Sequence, residues 1–186
     1  AKAIFGYDKI LSGEVNIEDR VYKKFNTQTM VENGLGYVTE DRKGEGIIKD
    51  MNLRENMTLP SMSLFESLFT INKNKEKKVA NEYIKKFDVK TPSSERLITL
   101  LSGGNQQKIL LSRWLLRNLK IIILDEPTRG VDIGAIEFIH NEIIKLRDEG
   151  KAIVLVSVEL DEILSLTDRV SVMFDGNLIG NRLTSD

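Results

Sequence analysis

Leu101-Ser102-Gly103-Gly104-Asn105-Gln106-Gln107-Lys108, followed closely by Ile121-Ile122-Ile123-Leu124-Asp125-Glu126-Pro127-Thr128, is the stretch around which the chain is organised. Ser102 and the two glycines stand where an apolar pattern at helical spacing begins, with Ile109, Leu110, Trp114, Leu115 and Leu116 after them. That pattern predicts a helix running to about Arg117. The start of a helix carries unpaired N–H groups and the positive end of the peptide dipole, which suit a phosphate. Gly103 and Gly104 let an anion approach the backbone with no Cβ in the way, and Ser102 adds a hydroxyl. Taken alone, the stretch is equally an ordinary serine-capped helix.

The unbroken apolar run Ile121–Leu124 reads as a buried strand of a parallel sheet. Ligands in such sheets bind beyond the carboxyl ends of the strands, where this strand delivers Asp125 and Glu126. Asp125 is placed to hold a magnesium ion through water. Glu126 is placed to orient and activate an attacking water. The plain alternative is a strand that ends in an acidic loop at Pro127.

Working outward, Ala1–Phe5 reads as the tail of a helix closed near Gly6, and Val15–Ile17 as a short strand. Asn26–Asn33 is a short helix ending at Gly34, and Leu35–Val38 a strand. It leads into the polar, glycine-rich run Thr39–Gly46, expected to be a loop. Gly44-Glu45-Gly46 within it is a second run that could cradle a phosphate. From Ile47 to Arg96, Met, Leu and Phe recur without strand alternation, and Lys75–Phe87 has helical spacing. Downstream, Thr128–Asp132 is a loop, and Ile133, Ile136, Ile139, Ile143, Ile144 and Leu146 mark an amphipathic helix ending near Gly150. Ala152–Val156 is expected to be another buried strand, Glu159–Leu166 a helix and Arg169–Phe174 a strand. Asp175-Gly176-Asn177 is a tight-turn signal before a last strand at Leu178–Gly180. Alternation of strand and helix predicts a mostly parallel α/β sheet. The single histidine, His140, lies in the apolar helix pattern and reads as a packing residue; Trp114 reads as core or interface.

The 186 residues hold 27 Lys+Arg against 28 Asp+Glu and no cysteine. Near-neutral charge speaks against nonspecific nucleic-acid binding, and the cysteine count excludes a disulfide framework and a thiolate metal site. No apolar run approaches the roughly 20 residues of a membrane span.

The two opening stretches resemble the signature motif and the Walker B strand of the ABC ATPases, and the likeness extends over essentially the whole chain. It is closer to the ATP-binding subunits of bacterial monosaccharide importers of the ribose, galactose and xylose type, which fuse two ATPase halves. Their second halves carry runs similar to Tyr37–Gly46 and to Arg54-Glu55-Asn56-Met57. The resemblance implies a P-loop NTPase core at residues 1–46 and 118–186, with a helical subdomain at 47–117 ending in the signature helix. It implies ATP and Mg2+ as cofactors, Glu126 as the catalytic residue and Asp125 at the metal. Ser102, Gly103, Gly104, Gln106, Glu40 and Asp132 would be nucleotide-facing. The implied partners are another ATPase half or a second copy, a membrane permease and, indirectly, a sugar-binding protein, with the chain held on the cytoplasmic face through the permease. Met51, Met57, Leu59 and Met62 are adaptable apolar candidates for the permease-facing surface as a region, while packing of the helical subdomain is the plainer reading for any one of them.

Three departures shape the expectation. No Gly-x-x-x-x-Gly-Lys-Ser/Thr phosphate loop is present. In the family Ala1–Phe5 would lie just after that loop, so the chain is expected to be an N-terminally truncated cassette, inactive alone. Glu40 stands where the family has glutamine. Val158 stands where the switch histidine would be, a position that is commonly not histidine in sugar-importer second halves. The competing readings are a nucleoside importer, a soluble ABC ATPase acting on DNA or ribosomes through the lysine-rich segment Lys73–Lys86, and a non-catalytic regulatory module.

Overall fold

The structure is a computed structural model that describes residues 1–67, 70–117 and 119–184. Its centre is a three-stranded parallel sheet in the order β3 (Leu35–Val38), β6 (Ile121–Asp125), β7 (Ala152–Val156). Leu35 pairs with Ile121 and Val38 with Leu124 on one side of β6; Ile121 pairs with Ala152 and Asp125 with Val156 on the other. Parallel neighbours need crossovers. Here the long excursion 39–120 joins β3 to β6, and α6 (Ile133–Asp148) joins β6 to β7. Around this centre lie α1 (Lys2–Phe5), the hairpin β1 (Val15–Ile17)–β2 (Arg20–Tyr22), α2 (Thr27–Glu32), α7 (Leu160–Leu166) and the antiparallel hairpin β8 (Arg169–Phe174)–β9 (Asn177–Leu183).

The excursion contains α3 (Leu53–Thr58), a 3₁₀ segment Leu59–Phe65, the two-residue strands β4 (Glu66–Ser67) and β5 (Thr70–Ile71), α4 (Lys73–Lys86) and α5 (Gly103–Leu115). Strong caps set its boundaries. Asn52 and Glu55 form a reciprocal capping box at α3, and the Asn72 side chain accepts from Lys75 N at α4. Two cores result. One gathers Met30, Leu35, Val38, Ile122, Ile123, Leu124, Ile139 and Ile143 around the sheet. The other gathers Leu53, Met57, Ala80, Phe87, Ile98 and Ile109 around the helices. Helix α5 serves both: Leu111 and Trp114 face the first, Ile109 and Leu110 the second. Trp114 packs edge-on against Phe5, and a Cβ on Gly36 would come within 3.2 Å of its ring.

Several expectations need correction. β7 is not a buried strand: Ala152, Val154 and Val156 are exposed, and β7 is the outer strand of the described sheet. Among the described residues β8 pairs only with β9, so the parallel sheet stops at three strands. The last strand is longer than Leu178–Gly180, running to Leu183. Ile133, placed on the apolar face of α6, is 84% exposed at its first position. Of the apolar candidates for the permease-facing surface, Met57 packs the helical core and is fully buried, the plainer reading for a single residue, while Leu59 is exposed. Thr39–Gly46 is not an open loop: Arg42–Gly46 closes a π-helical turn capped by Asp41.

Candidate functional site

Ser102 is the N-cap of α5. Its exposed Oγ accepts from Asn105 Nδ2 at 2.8 Å and from Asn105 N at 3.5 Å. The next two residues are glycine for a reason internal to the chain. A Cβ on Gly103 would meet Arg42 Nη2 at 2.9 Å and the Gly130 carbonyl at 3.1 Å. A Cβ on Gly104 would meet Asp132 Oδ2 at 2.5 Å and the Ala135 methyl at 2.7 Å. Asp132 is itself the N-cap of α6, accepting from Ala135 N at 3.0 Å. The starts of α5 and α6 are therefore pressed together. Gln106 turns inward, donating to the Ile98 and Leu101 carbonyls, each at 3.2 Å. It shapes the turn before Ser102 from behind.

The carboxylates lie at the end of β6. Tyr37, on the neighbouring strand β3, donates its hydroxyl to Asp125 Oδ2 at 2.8 Å. Burial and then this bond raise the Tyr37 phenol well above its usual pKa, so it stays a donor. Glu126 leaves the strand at φ 48°, a left-handed conformation that costs a non-glycine residue free energy. Its N–H is held by the Val156 carbonyl at 2.9 Å. Burial raises its carboxyl pKa, opposed by the Val158 N–H that donates to it and by Arg129. Val158 thus meets Glu126 through its backbone, while its side chain is 82% exposed.

Glu126 opens into a cleft of about 650 Å3 lined also by Glu40, Arg129, His140, Val158 and Glu162. Glu40 pairs with Arg129 at 3.3 Å. His140 Nε2 lies 2.9 Å from Glu162 Oε1, so the lone histidine has a polar partner as well as a packing role. The structure therefore gathers Glu40 and Glu126 in one cleft, and Gly103, Gly104 and Asp132 in a separate contact. The loop Thr128–Val131 runs between them.

Sequence reasoning missed what holds these pieces. Glu45 Oε1 pairs with Lys2 at 2.7 Å and Oε2 accepts from Thr39 at 2.9 Å, tying α1 to the turn after β3. Lys2 and Thr39 hold the Glu45 carboxyl below its usual pKa. The amides of Gly44, Glu45 and Gly46 all donate to Asp41, so this turn spends these N–H groups internally. Arg113 of α5 donates to the Gly46 and Asn56 carbonyls, each at 2.7 Å. Burial pushes its pKa down to about 10.

The family model described as ABC transporter matches residues 1–129. The chain belongs to the ABC transporter family. It is 43% identical over 181 residues to the ribose import ATP-binding protein RbsA of Clostridium tetani, covering 97% of this chain and 36% of that protein. It is 41% identical over 179 residues to the Bacillus subtilis protein of the same name, covering 96% and 36%. The chain thus spans little more than a third of the curated relatives it matches. A dimeric ATP-binding cassette in a post-hydrolysis state, bound to ADP and Pi, superimposes with TM-score 0.83 at 24% identity, covering 98% of this chain and 78% of that one. A second cassette, in its ADP conformation, gives 0.76 at 25%, covering 98% and 73%. The fold of this ABC transporter chain is accordingly the α/β fold of the ATP-binding cassettes. Among its described residues no helix is long and apolar enough to cross a membrane.

Proposed function

We propose that this ABC transporter chain is the second ATPase half of a sugar-import subunit, and that its main contribution is the signature motif it presents to ATP held by a partner cassette. The observation that carries this reading is the packed turn Ser102–Gly104: an exposed Ser102 at a helix start, a half-buried Gly103 and a buried Gly104, backed by Arg42, Asp132 and Gln106. Ser102 Oγ and the free amides of Gly103 and Gly104 would bind phosphate oxygens of that ATP. Asp132, wedged against Gly104, would relay the state of one site to the other. Similarity to ribose import ATP-binding proteins supports ribose or a related sugar as the cargo.

The other half-site is that of Asp125, Glu126 and Glu40. Asp125 has one oxygen bound to Tyr37 and the other without a protein hydrogen bond among the described residues, which fits a water-bridged cation. No cluster of three or more His, Asp or Glu fit for a metal occurs among those residues, so Mg2+ would be completed by phosphates and water. When bound, Mg2+ supplies charge neutralisation of the phosphates. Glu126 would orient water, with Val158 N–H fixing its carboxylate. With Glu40 and Val158 at positions where the family uses glutamine and histidine, this half-site is the weaker of the two. Residues 47–117 form the helical subdomain on the core of 1–46 and 118–186, and the surface near Glu40–Leu64, including exposed Ile48, Leu59 and Leu64, faces the permease. The permease holds the chain at the cytoplasmic face of the membrane.

The test is a pair of substitutions in the transporter that contains this chain. Ser102→Arg is expected to abolish transport, and Glu126→Gln to leave a substantial part of it. Abolition by Glu126→Gln with transport intact in Ser102→Arg would reverse the assignment.

A further inference from the structure

Arg42 reaches the signature turn from within the chain. It sits just after β3, at the start of the π-helical turn, and its guanidinium lies over Gly103, 2.9 Å from where a Cβ would stand. Its Nη1 donates to the Arg129 carbonyl and its Nη2 to the Gly130 carbonyl, each at 3.5 Å. Its Nε is buried and has no hydrogen-bond partner among the described residues. A guanidinium can span two adjacent carbonyls with its planar fork, where an ammonium can meet them only as a point charge. Gly130, at φ 66°, is the turn that aims its carbonyl at this fork.

We infer that Arg42 is a positioning residue that locks the signature turn to the loop after the Glu126 carboxylate. Three segments distant in sequence meet at its head: the turn after β3, the first residue of α5, and Arg129–Gly130. The far end of the same turn is fixed to α5 by Arg113 through the Gly46 carbonyl. A Cβ on Gly46 would strike Leu110 at 2.7 Å. The turn is thus anchored along α5 at both ends, by Arg42 at Gly103 and by Gly46 near Leu110 and Arg113. Movement of the turn would carry the phosphate-facing end of α5 with it. Gly103 has a matching role: it keeps the space in which the guanidinium lies. The locking itself needs no nucleotide; only its effect on ATP rests on the proposed role of Ser102.

Amide hydrogen exchange on this chain tests the lock. In Arg42→Ala, the bonded amides of Asn105, Gln106, Arg129 and Val131 are expected to exchange about tenfold faster, while those of Ile122–Leu124 in β6 and the melting temperature stay at parent values. Arg42→Lys, which keeps charge and loses the fork, should behave like Arg42→Ala. Unchanged exchange, uniform acceleration across the chain, or a parent-like Arg42→Lys would each overturn the inference. In the assembled transporter, Arg42→Ala should raise the ATP KM at the partner site about tenfold with kcat nearly unchanged, as expected when ground-state and transition-state binding weaken together. Local loosening with an unchanged KM would uphold the lock and refute the role of Ser102 instead.

Discussion

Ile123 of β6 and Val154 of β7 sit opposite each other in register, yet Ile123 is fully buried and Val154 is 41% exposed. The contrast extends to the regions they belong to. On the α3–α4–α5 side, even charged groups are enclosed and paired: Arg54 meets Glu76 at 2.5 Å, Glu95 at 3.0 Å and Glu55 at 3.4 Å, and Thr58 donates to Glu76 at 2.6 Å. On the outer side of β7 and on the β8–β9 hairpin, Val156, Val172, Met173, Phe174, Leu178 and Ile179 face solvent. Apolar strand composition does not make a strand buried; neighbours on both faces do.

The largest effect that could break this contrast is at Glu76. Glu76 is the enclosed carboxylate that both Arg54 and Thr58 meet, and Glu95 and Glu55 hold Arg54 only from its more exposed side, so Glu76→Ala should cost about 3–5 kcal/mol in urea unfolding, while Glu95→Ala should cost well under that. Equal costs would mean that the helical side is no more closed than its surface. Next is the registered pair. Ile123→Ala should cost about 2–5 kcal/mol, and Val154→Ala less than about 1 kcal/mol. Comparable losses would show that β7 is covered in solution.

The signature glycines give a smaller, sharper test. Gly104→Ala should cost about 1–3 kcal/mol, because the Ala135 methyl belongs to a helix and cannot step aside. Gly103→Ala should cost less, since the end of the Arg42 side chain can swing away. The smallest effect is at Glu126. Its pKa is raised, so the folded state favours the protonated form: the stability it contributes is present at low pH and is lost as pH rises through the folded-state value. Glu126→Gln should therefore raise the melting temperature slightly at pH 7, with the gain disappearing towards pH 4. A loss at pH 7 would mean that the carboxylate charge is needed where it stands.

The fold was legible where the sequence encodes local rules. The apolar run Ile121–Leu124, the helix start at Ser102 and the turn at Asp175-Gly176 all appear as read, while the Asn72 and Asp132 caps come from the structure. What was illegible depends on contacts between distant segments. Nothing in Arg42-Lys43-Gly44 announces that Arg42 will rest on Gly103, or that the turn will consume its own amides. Glu76 lies in the lysine-rich segment Lys73–Lys86, and only the packing of α4 on α3 turns it toward Arg54. Tyr37 read as a strand residue; its bond to Asp125 follows from the β3–β6 register. The glycines at 103 and 104 were read as room for an anion, and the structure adds that Arg42, Gly130, Asp132 and Ala135 already fill their inner side.

Calorimetric titration of Mg2+–ATP into this chain by itself tests the central claim, that its signature turn completes a nucleotide site built on another cassette. No binding heat up to about 1 mM ATP is predicted, the weak end of the affinity scale, with binding appearing once a partner cassette is added. Binding of the chain alone at about 1 μM would contradict the account, because it would place a complete phosphate site within residues 1–186.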